Sequence, residues 1–80
     1  MQPTTGSIKN SIIEKIDCSH LEVTGDGRHF DALIVSANFI GKRLIQRHQL
    51  VYAALGERMR EEIHALSLKT LTPEEFKNHG

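Results

Sequence analysis

The chain has 80 residues, ten basic and ten acidic side chains that cancel, 39% hydrophobic residues and one cysteine. This length fits one domain with a modest core and excludes two, and the balanced charge favours no particular partner. One cysteine excludes an internal disulfide framework and fits a reducing compartment. Neither a bilayer-spanning apolar run nor a signal peptide is present, so we expect a cytoplasmic protein without a membrane partner.

The first predicted element is a helix over Ser7–Ile16, with Ser7 as its N-cap. Residues 1–6 resemble a flexible leader, and the single domain is predicted to span residues 7–80. The helix is predicted from four isoleucines that fall on one face at helical spacing. They are Ile8, Ile12, Ile13 and Ile16.

A β-hairpin is predicted next. His20–Thr24 alternates polar and apolar residues, with its leucine and valine inward, which is typical of an amphipathic strand. Gly25–Arg28 supplies turn residues able to take positive φ, and Phe30–Ala37 is a second, more apolar strand. His29 therefore lies beside the turn.

A longer helical stripe follows the connection Asn38–Arg43. Gly56 is a poor residue for the middle of a helix, so we predict two short helices with a break between Val51 and Gly56. The stripe consists of Leu44, Ile45, His48, Val51, Tyr52 and Leu55, extended by Met59 and Ile63.

The C-terminal part is predicted to be a strand followed by a helix. Ile63–Thr70 has leucines that alternate with small or polar residues. Thr72 can then cap a helix in which Pro73 suits the first turn and Glu75 completes a capping box. The predicted order is helix, strand, strand, helix, helix, strand, helix, which is an α+β fold with a three-stranded sheet packed with helices.

Five histidines and one cysteine are the strongest metal-ligand candidates besides carboxylates. His48 lies in the apolar stripe and is interpreted as a packed, hydrogen-bonded residue, whereas His79 and His20 have little support as ligands. His29 and His64 lie at the edges of predicted elements, where a ring nitrogen can reach solvent. Sequence alone does not bring them together. No zinc-finger or HExxH spacing occurs, so no self-contained zinc site is expected.

Patterns typical of enzymes are weak. Cys18–His20 joins a thiol, a hydroxyl and an imidazole in sequence, but a catalytic triad requires a base oriented in space by a third group. Gly25–Gly27 connects two predicted strands rather than opening a helix, so a hairpin turn explains it better than a phosphate loop does. We therefore expect no enzymatic activity.

One basic cluster occurs at the junction between a loop and a helix. Lys42, Arg43 and Arg47 could contact phosphates, and they could equally form a solvated helix face.

Several blocks resemble the BolA family, and the resemblance covers residues 7–77. The blocks are Phe39–Arg43, Arg47–Leu55, Ile63–Thr70 and Thr72–Phe76. The resemblance implies a fold similar to class II KH domains and a non-enzymatic adaptor. Such an adaptor pairs with a monothiol glutaredoxin to share a [2Fe–2S] cluster, for iron–sulfur trafficking or iron sensing. It also implies that His64, which opens the last strand, is the principal ligand and that His29 is the second.

The cysteine count fits a shared cluster. A [2Fe–2S] cluster needs four ligands, typically thiolates, and the one cysteine, Cys18, precedes the first strand and does not match the second-ligand position. The family resemblance implies that the remaining ligands are a partner's cysteine and a glutathione supplied through the partner. Free imidazole titrates near pH 6.5, so protonation competes with ligation and such a cluster should be more labile to acid than an all-thiolate one.

The resemblance leaves a DNA-binding transcriptional regulator as the alternative function. It would use the KH-like helix pair with Lys42, Arg43 and Arg47. KH domains grip a nucleic-acid backbone with a Gly-X-X-Gly loop between two helices, whereas Gly41–Leu44 ends in leucine and precedes the pair. A weak homodimer is a further expectation about partners.

Overall fold

The protein's computed structural model describes residues 4–26, 28–62 and 65–79, with the backbone alone at residues 57–62, 65 and 79. The described elements confirm the α+β class and the three-stranded sheet. They are α1 (Thr5–Lys15), β1 (Cys18–Gly25), β2 (His29–Ser36), a 3-10 turn (Ala37–Phe39), α2 (Leu44–Glu62), β3 (Ala65–Leu71) and α3 (Pro73–His79). No described helix has the length and apolarity to cross a membrane.

Strand β2 is the centre of a mixed sheet with the order β1-β2-β3. It pairs antiparallel with β1, where Gly25 faces Phe30, and parallel with β3, where His29 faces Ala65. Alternate residues of the strands point to one face, and that face packs against α1 and α2. The buried cluster contains Ile8, Ile12, Ile16, Phe30, Ala32, Ile34, Phe39, Val51, Ala54 and Leu55.

Helix α1 begins at Thr5, two residues earlier than predicted, because Thr4 and not Ser7 is its N-cap. Thr4 Oγ1 accepts a hydrogen bond from the Ser7 backbone N–H at 3.0 Å, and Ser7 Oγ accepts one from the Thr4 N–H at 2.9 Å. The predicted inward position of Ile13 is also wrong, since its side chain is exposed. Successive helical residues are about 100° apart, so Ile13 turns outward when Ile12 is buried.

The turn between β1 and β2 depends on space at Gly25 rather than on positive φ. A Cβ atom at Gly25 would lie 2.5 Å from Cδ1 of Phe30 and 2.6 Å from the carbonyl oxygen of His29. Gly25 does not take the positive φ that glycine allows in such a turn, and Gly27 lies outside the described residues. Asp26 closes the turn, because its Oδ1 accepts the backbone N–H groups of Arg28 and His29 at 2.9 Å each.

Helix α2 contains the predicted break, at Gly56, whose φ of 79° and ψ of 162° are not helical. Its buried stripe starts later than predicted, since Leu44 and Ile45 in the first turn are exposed. Arg47 takes an inward position near that end, with a side chain only 13% exposed. Arg47 is therefore mostly covered although it lies outside the predicted apolar stripe.

The predicted capping box of α3 is confirmed. The backbone N–H of Thr72 donates to Glu75 Oε1 at 2.8 Å, and the N–H of Glu75 donates to Thr72 Oγ1 at 3.2 Å. Pro73 is the first helical residue, where its missing N–H costs no helical hydrogen bond.

Candidate functional site

The edge of the sheet beside the β1–β2 turn carries His29, the first residue of β2. Its side chain is 75% exposed, and its Nδ1 lies 4.0 Å from Asp26 Oδ2. The hydrogen bonds from the backbone N–H groups of His29 and Arg28 hold the pKa of the Asp26 carboxyl below its ordinary value. Asp26 therefore stays ionised and fixes the backbone from which the exposed imidazole projects.

The register of β2 with β3 bears on the principal predicted ligand, His64. His29 aligns with Ala65, the residue that follows His64 in the sequence. His64 itself lies outside the described residues, so its predicted ligand role stays a prediction. Within the described part of the chain, no group of three or more histidine, cysteine, aspartate or glutamate side chains could hold a metal ion.

Cys18 lies far from the histidine edge. It pairs with Ser36 at the opposite end of β2, and seven residue steps of about 3.4 Å separate Ser36 from His29, or about 24 Å. Its half-buried Sγ donates to the carbonyl oxygen of Ile16 at 3.5 Å. Burial, assisted by the charge of Asp17, raises the pKa of the thiol. Cys18 is therefore a protonated thiol at neutral pH, whereas the thiolate is the form that binds metal.

The remaining histidines have separate surroundings. His20 stacks on Phe76 of α3, with ring centroids 4.8 Å apart, and its Nε2 lies 3.1 Å from Glu22 Oε2. This contact between β1 and α3 was missed by sequence reasoning. His48 is half-buried, and its buried Nε2 has no hydrogen-bond partner among the described residues, so the predicted hydrogen bonding is not seen at that atom. The side chain of His79 lies outside the described residues.

The basic cluster is split by the structure. Arg47 donates through Nη1 to Glu75 Oε1 at 2.8 Å and to the Thr70 carbonyl at 3.1 Å, and through Nε to the Lys42 carbonyl at 3.0 Å. It thereby joins the start of α2 to the end of β3 and the start of α3. This ion pair and the Thr72 N–H lower the pKa of the Glu75 carboxyl. Arg47 is thus a structural clamp, and it does not belong to an exposed cluster as predicted.

The fold and this edge define a small α+β domain whose central strand starts with an exposed histidine. The family model described as BolA-like protein matches residues 3–75. Protein BOLA2 of Arabidopsis thaliana is 44% identical over 79 residues, which cover 92% of this chain and 84% of that protein. The DNA-binding transcriptional regulator BolA of Haemophilus influenzae is 45% identical over 65 residues, covering 81% of this chain and 63% of that protein.

The same family appears among solved structures. The crystal structure of a bol-like protein from Babesia bovis has a TM-score of 0.88 to this chain at 30% sequence identity. The similarity covers 99% of this chain and 95% of that one. This chain belongs to the BolA family.

Proposed function

We propose that this chain is a non-enzymatic adaptor that pairs with a monothiol glutaredoxin to share a [2Fe–2S] cluster. His64 would be its principal ligand and His29 the second, with glutathione supplied through the partner. The cluster would serve iron–sulfur trafficking or iron sensing. The observation that carries the proposal is the β2–β3 register, in which His29 aligns with the residue directly after His64.

The donor chemistry of this edge fits such a cluster. Imidazole nitrogens ligate one iron of Rieske-type [2Fe–2S] centres, and His29 is exposed where an external group can reach it. The chain's single thiol is half-buried, protonated and at the other end of the sheet. Thiolate ligands must therefore come from outside this chain, which favours a shared cluster over one held by this protein alone.

The test is reconstitution with a monothiol glutaredoxin, glutathione, iron and sulfide, followed by visible absorption and circular dichroism. We expect His64→Ala and His29→Ala each to change the visible dichroism, and His79→Ala, a histidine near the C-terminus, to leave it as in the wild type. Spectra of the first two variants that match the wild type would refute the ligand assignment. A glutaredoxin complex that forms equally well without iron would instead favour a protein-interaction module without metal.

DNA binding is the second candidate function, and two observations favour it. The Haemophilus influenzae relative is named as a DNA-binding transcriptional regulator. Lys42 and Arg43 are exposed just before α2, whose first turn has no acidic residue. Because Arg47 is paired with Glu75, Lys42 and Arg43 are the two cations of the cluster left to contact phosphates. Two phosphate contacts predict that the logarithm of the binding constant falls with the logarithm of the salt concentration with a slope of about −1.8.

A salt titration of duplex-DNA binding separates this candidate from non-specific association. We expect the double variant Lys42→Ala/Arg43→Ala to remove the salt-dependent binding, and Lys77→Ala on α3 to retain it. Equal binding by the wild type and the double variant would contradict this use of the cluster.

A further inference from the structure

A concave groove of about 340 Å³ lies near the end of β2 opposite to His29. Volumes of this order are typical of small-molecule sites, which are mostly apolar with a few polar groups. None of the described residues that line the groove is acidic. Its apolar lining comes from Ile16, Leu50, Ala53 and Ala54, and its polar lining comes from Lys15, Asn38 and Lys42.

Two walls of the groove are joined by one buried hydroxyl. Ser36 is fully buried, and its Oγ donates to the Asp17 carbonyl at 2.7 Å while it accepts the Asn38 N–H at 3.0 Å. Asp17 follows the end of α1, and Asn38 belongs to the 3-10 turn. The hydroxyl therefore fixes the backbone around Asn38 relative to the backbone beyond Lys15.

The third polar residue, Lys42, also projects from a fixed backbone. Its N–H donates to the Phe39 carbonyl at 3.1 Å, and its own carbonyl accepts Nε of Arg47 at 3.0 Å. Gly41, with a φ of 78°, turns the chain just before it. A site whose backbone is ordered before binding loses less conformational freedom when a ligand enters.

We propose that this groove binds a small amphipathic organic anion, a carboxylate joined to a short apolar body. The ammonium groups of Lys15 and Lys42 would face the carboxylate, and the Asn38 amide would donate to it. The apolar lining would cover the rest of the ligand. A neutral apolar molecule would gain nothing from the two lysines, and a small inorganic anion would leave the apolar lining exposed.

The groove is separate from the end of the sheet that carries His29, where the cluster is proposed to bind. The groove involves Asn38, which follows Ser36 at the C-terminal end of β2, whereas His29 starts that strand, seven residue steps or about 24 Å from Ser36. The inference does not rest on the proposed function, and binding at the groove leaves the histidine edge accessible.

The experiment follows backbone amide resonances of the isotope-labelled full chain during titration with octanoate, up to about 10 mM, which reaches weak affinities. We expect saturable shifts centred on Lys42, Leu50 and Ala53. Acetate has the charge without the apolar body, and 1-octanol has the body without the charge. Both should bind at least about tenfold more weakly.

Variants distinguish binding in the groove from a general attraction between octanoate and lysine side chains. Lys15→Gln/Lys42→Gln should weaken octanoate binding at least about tenfold, since a tenfold change is an ordinary loss for a charged contact. Lys9→Gln/Lys77→Gln removes the same charge elsewhere and should leave the affinity unchanged. Ala53→Trp, at an exposed position of the lining, should fill the groove and abolish the shifts.

Three results would overturn the proposal. They are the absence of saturable shifts at the groove, equal affinity for octanoate and 1-octanol, and equal loss of binding in the two lysine double variants. Unchanged amide spectra of the free variants establish that each is folded, so a loss of binding reports on the groove.

Discussion

Replacing Gly25 by alanine should destabilise the protein through overlap rather than backbone strain. The added Cβ would lie 2.5 Å from Cδ1 of Phe30 and 2.6 Å from the His29 carbonyl oxygen, about 1 Å inside ordinary contact. Phe30 is buried and the carbonyl belongs to the paired strand, so neither neighbour moves freely. Overpacking of this kind costs roughly 1–3 kcal/mol, which lowers the melting temperature of a small domain by about 4–8 °C per kcal/mol.

Two other glycines provide the matched controls for urea unfolding. The added Cβ of Gly41→Ala meets no atom of the described residues within 4 Å but keeps a φ of 78°, so the variant should cost about 1 kcal/mol from strain alone. Among the described residues, the added Cβ of Gly6→Ala meets only Thr4 Oγ1, at 3.8 Å, and Gly6 lies in α1, so the variant should be more stable by about 0.5 kcal/mol. A Gly25→Ala protein as stable as the wild type, or no less stable than Gly41→Ala, would refute the overlap argument.

Three further predictions concern the clamp and the thiol. Arg47→Ala should lower the free energy of unfolding by about 2 kcal/mol, because a charged donor to the Thr70 carbonyl is lost. Arg47→Lys should restore only part of this stability. Urea titration measures both variants. Since the pKa of Glu75 is lowered in the folded state, its contribution to stability is present above its ordinary value of 4.5 and is lost as pH falls through the lowered pKa. Acid titrations should therefore show a shallower loss of stability for Glu75→Gln, and equal slopes for the wild type and Glu75→Gln would contradict this. Cys18 should react with a disulfide reagent at pH 8 more slowly than a free cysteine, and Asp17→Asn should speed the reaction. A rate equal to that of free cysteine would contradict the effect of burial on the thiol pKa.

Hydrogen bonds between residues that are near each other in the chain were predictable from the sequence. The Thr72–Glu75 capping box is an example, because a hydroxyl and a carboxylate three residues apart satisfy each other's backbone N–H groups. At the first helix, the same spacing led to a wrong N-cap prediction. Thr4 and Ser7 are both hydroxyl residues, either can cap, and their reciprocal bonds determine which one precedes the helix.

Contacts between distant residues could not be predicted in this way. Arg47 and Glu75 are separated by 28 positions, and the hydrophobic stripe of α2, which does not include Arg47, gave no reason to expect this ion pair. The stack of His20 on Phe76 depends on how α3 crosses the sheet, which no local pattern determines. Gly25 was recognised as a turn residue, but its need for space follows from Phe30 across the strand pair.

The two ends of β2 differ in the metal-binding chemistry that they can offer. At one end, an ionised Asp26 fixes the backbone of an exposed His29. At the other end, burial keeps the Cys18 thiol protonated beside Ser36. Thiolates are the usual ligands of iron–sulfur clusters, and one cysteine, even if exposed and ionised, would supply only one of the four ligands that a [2Fe–2S] cluster needs. Under the proposed function, the protected thiol and the accessible imidazole together make cluster binding depend on a partner that brings its own thiolates.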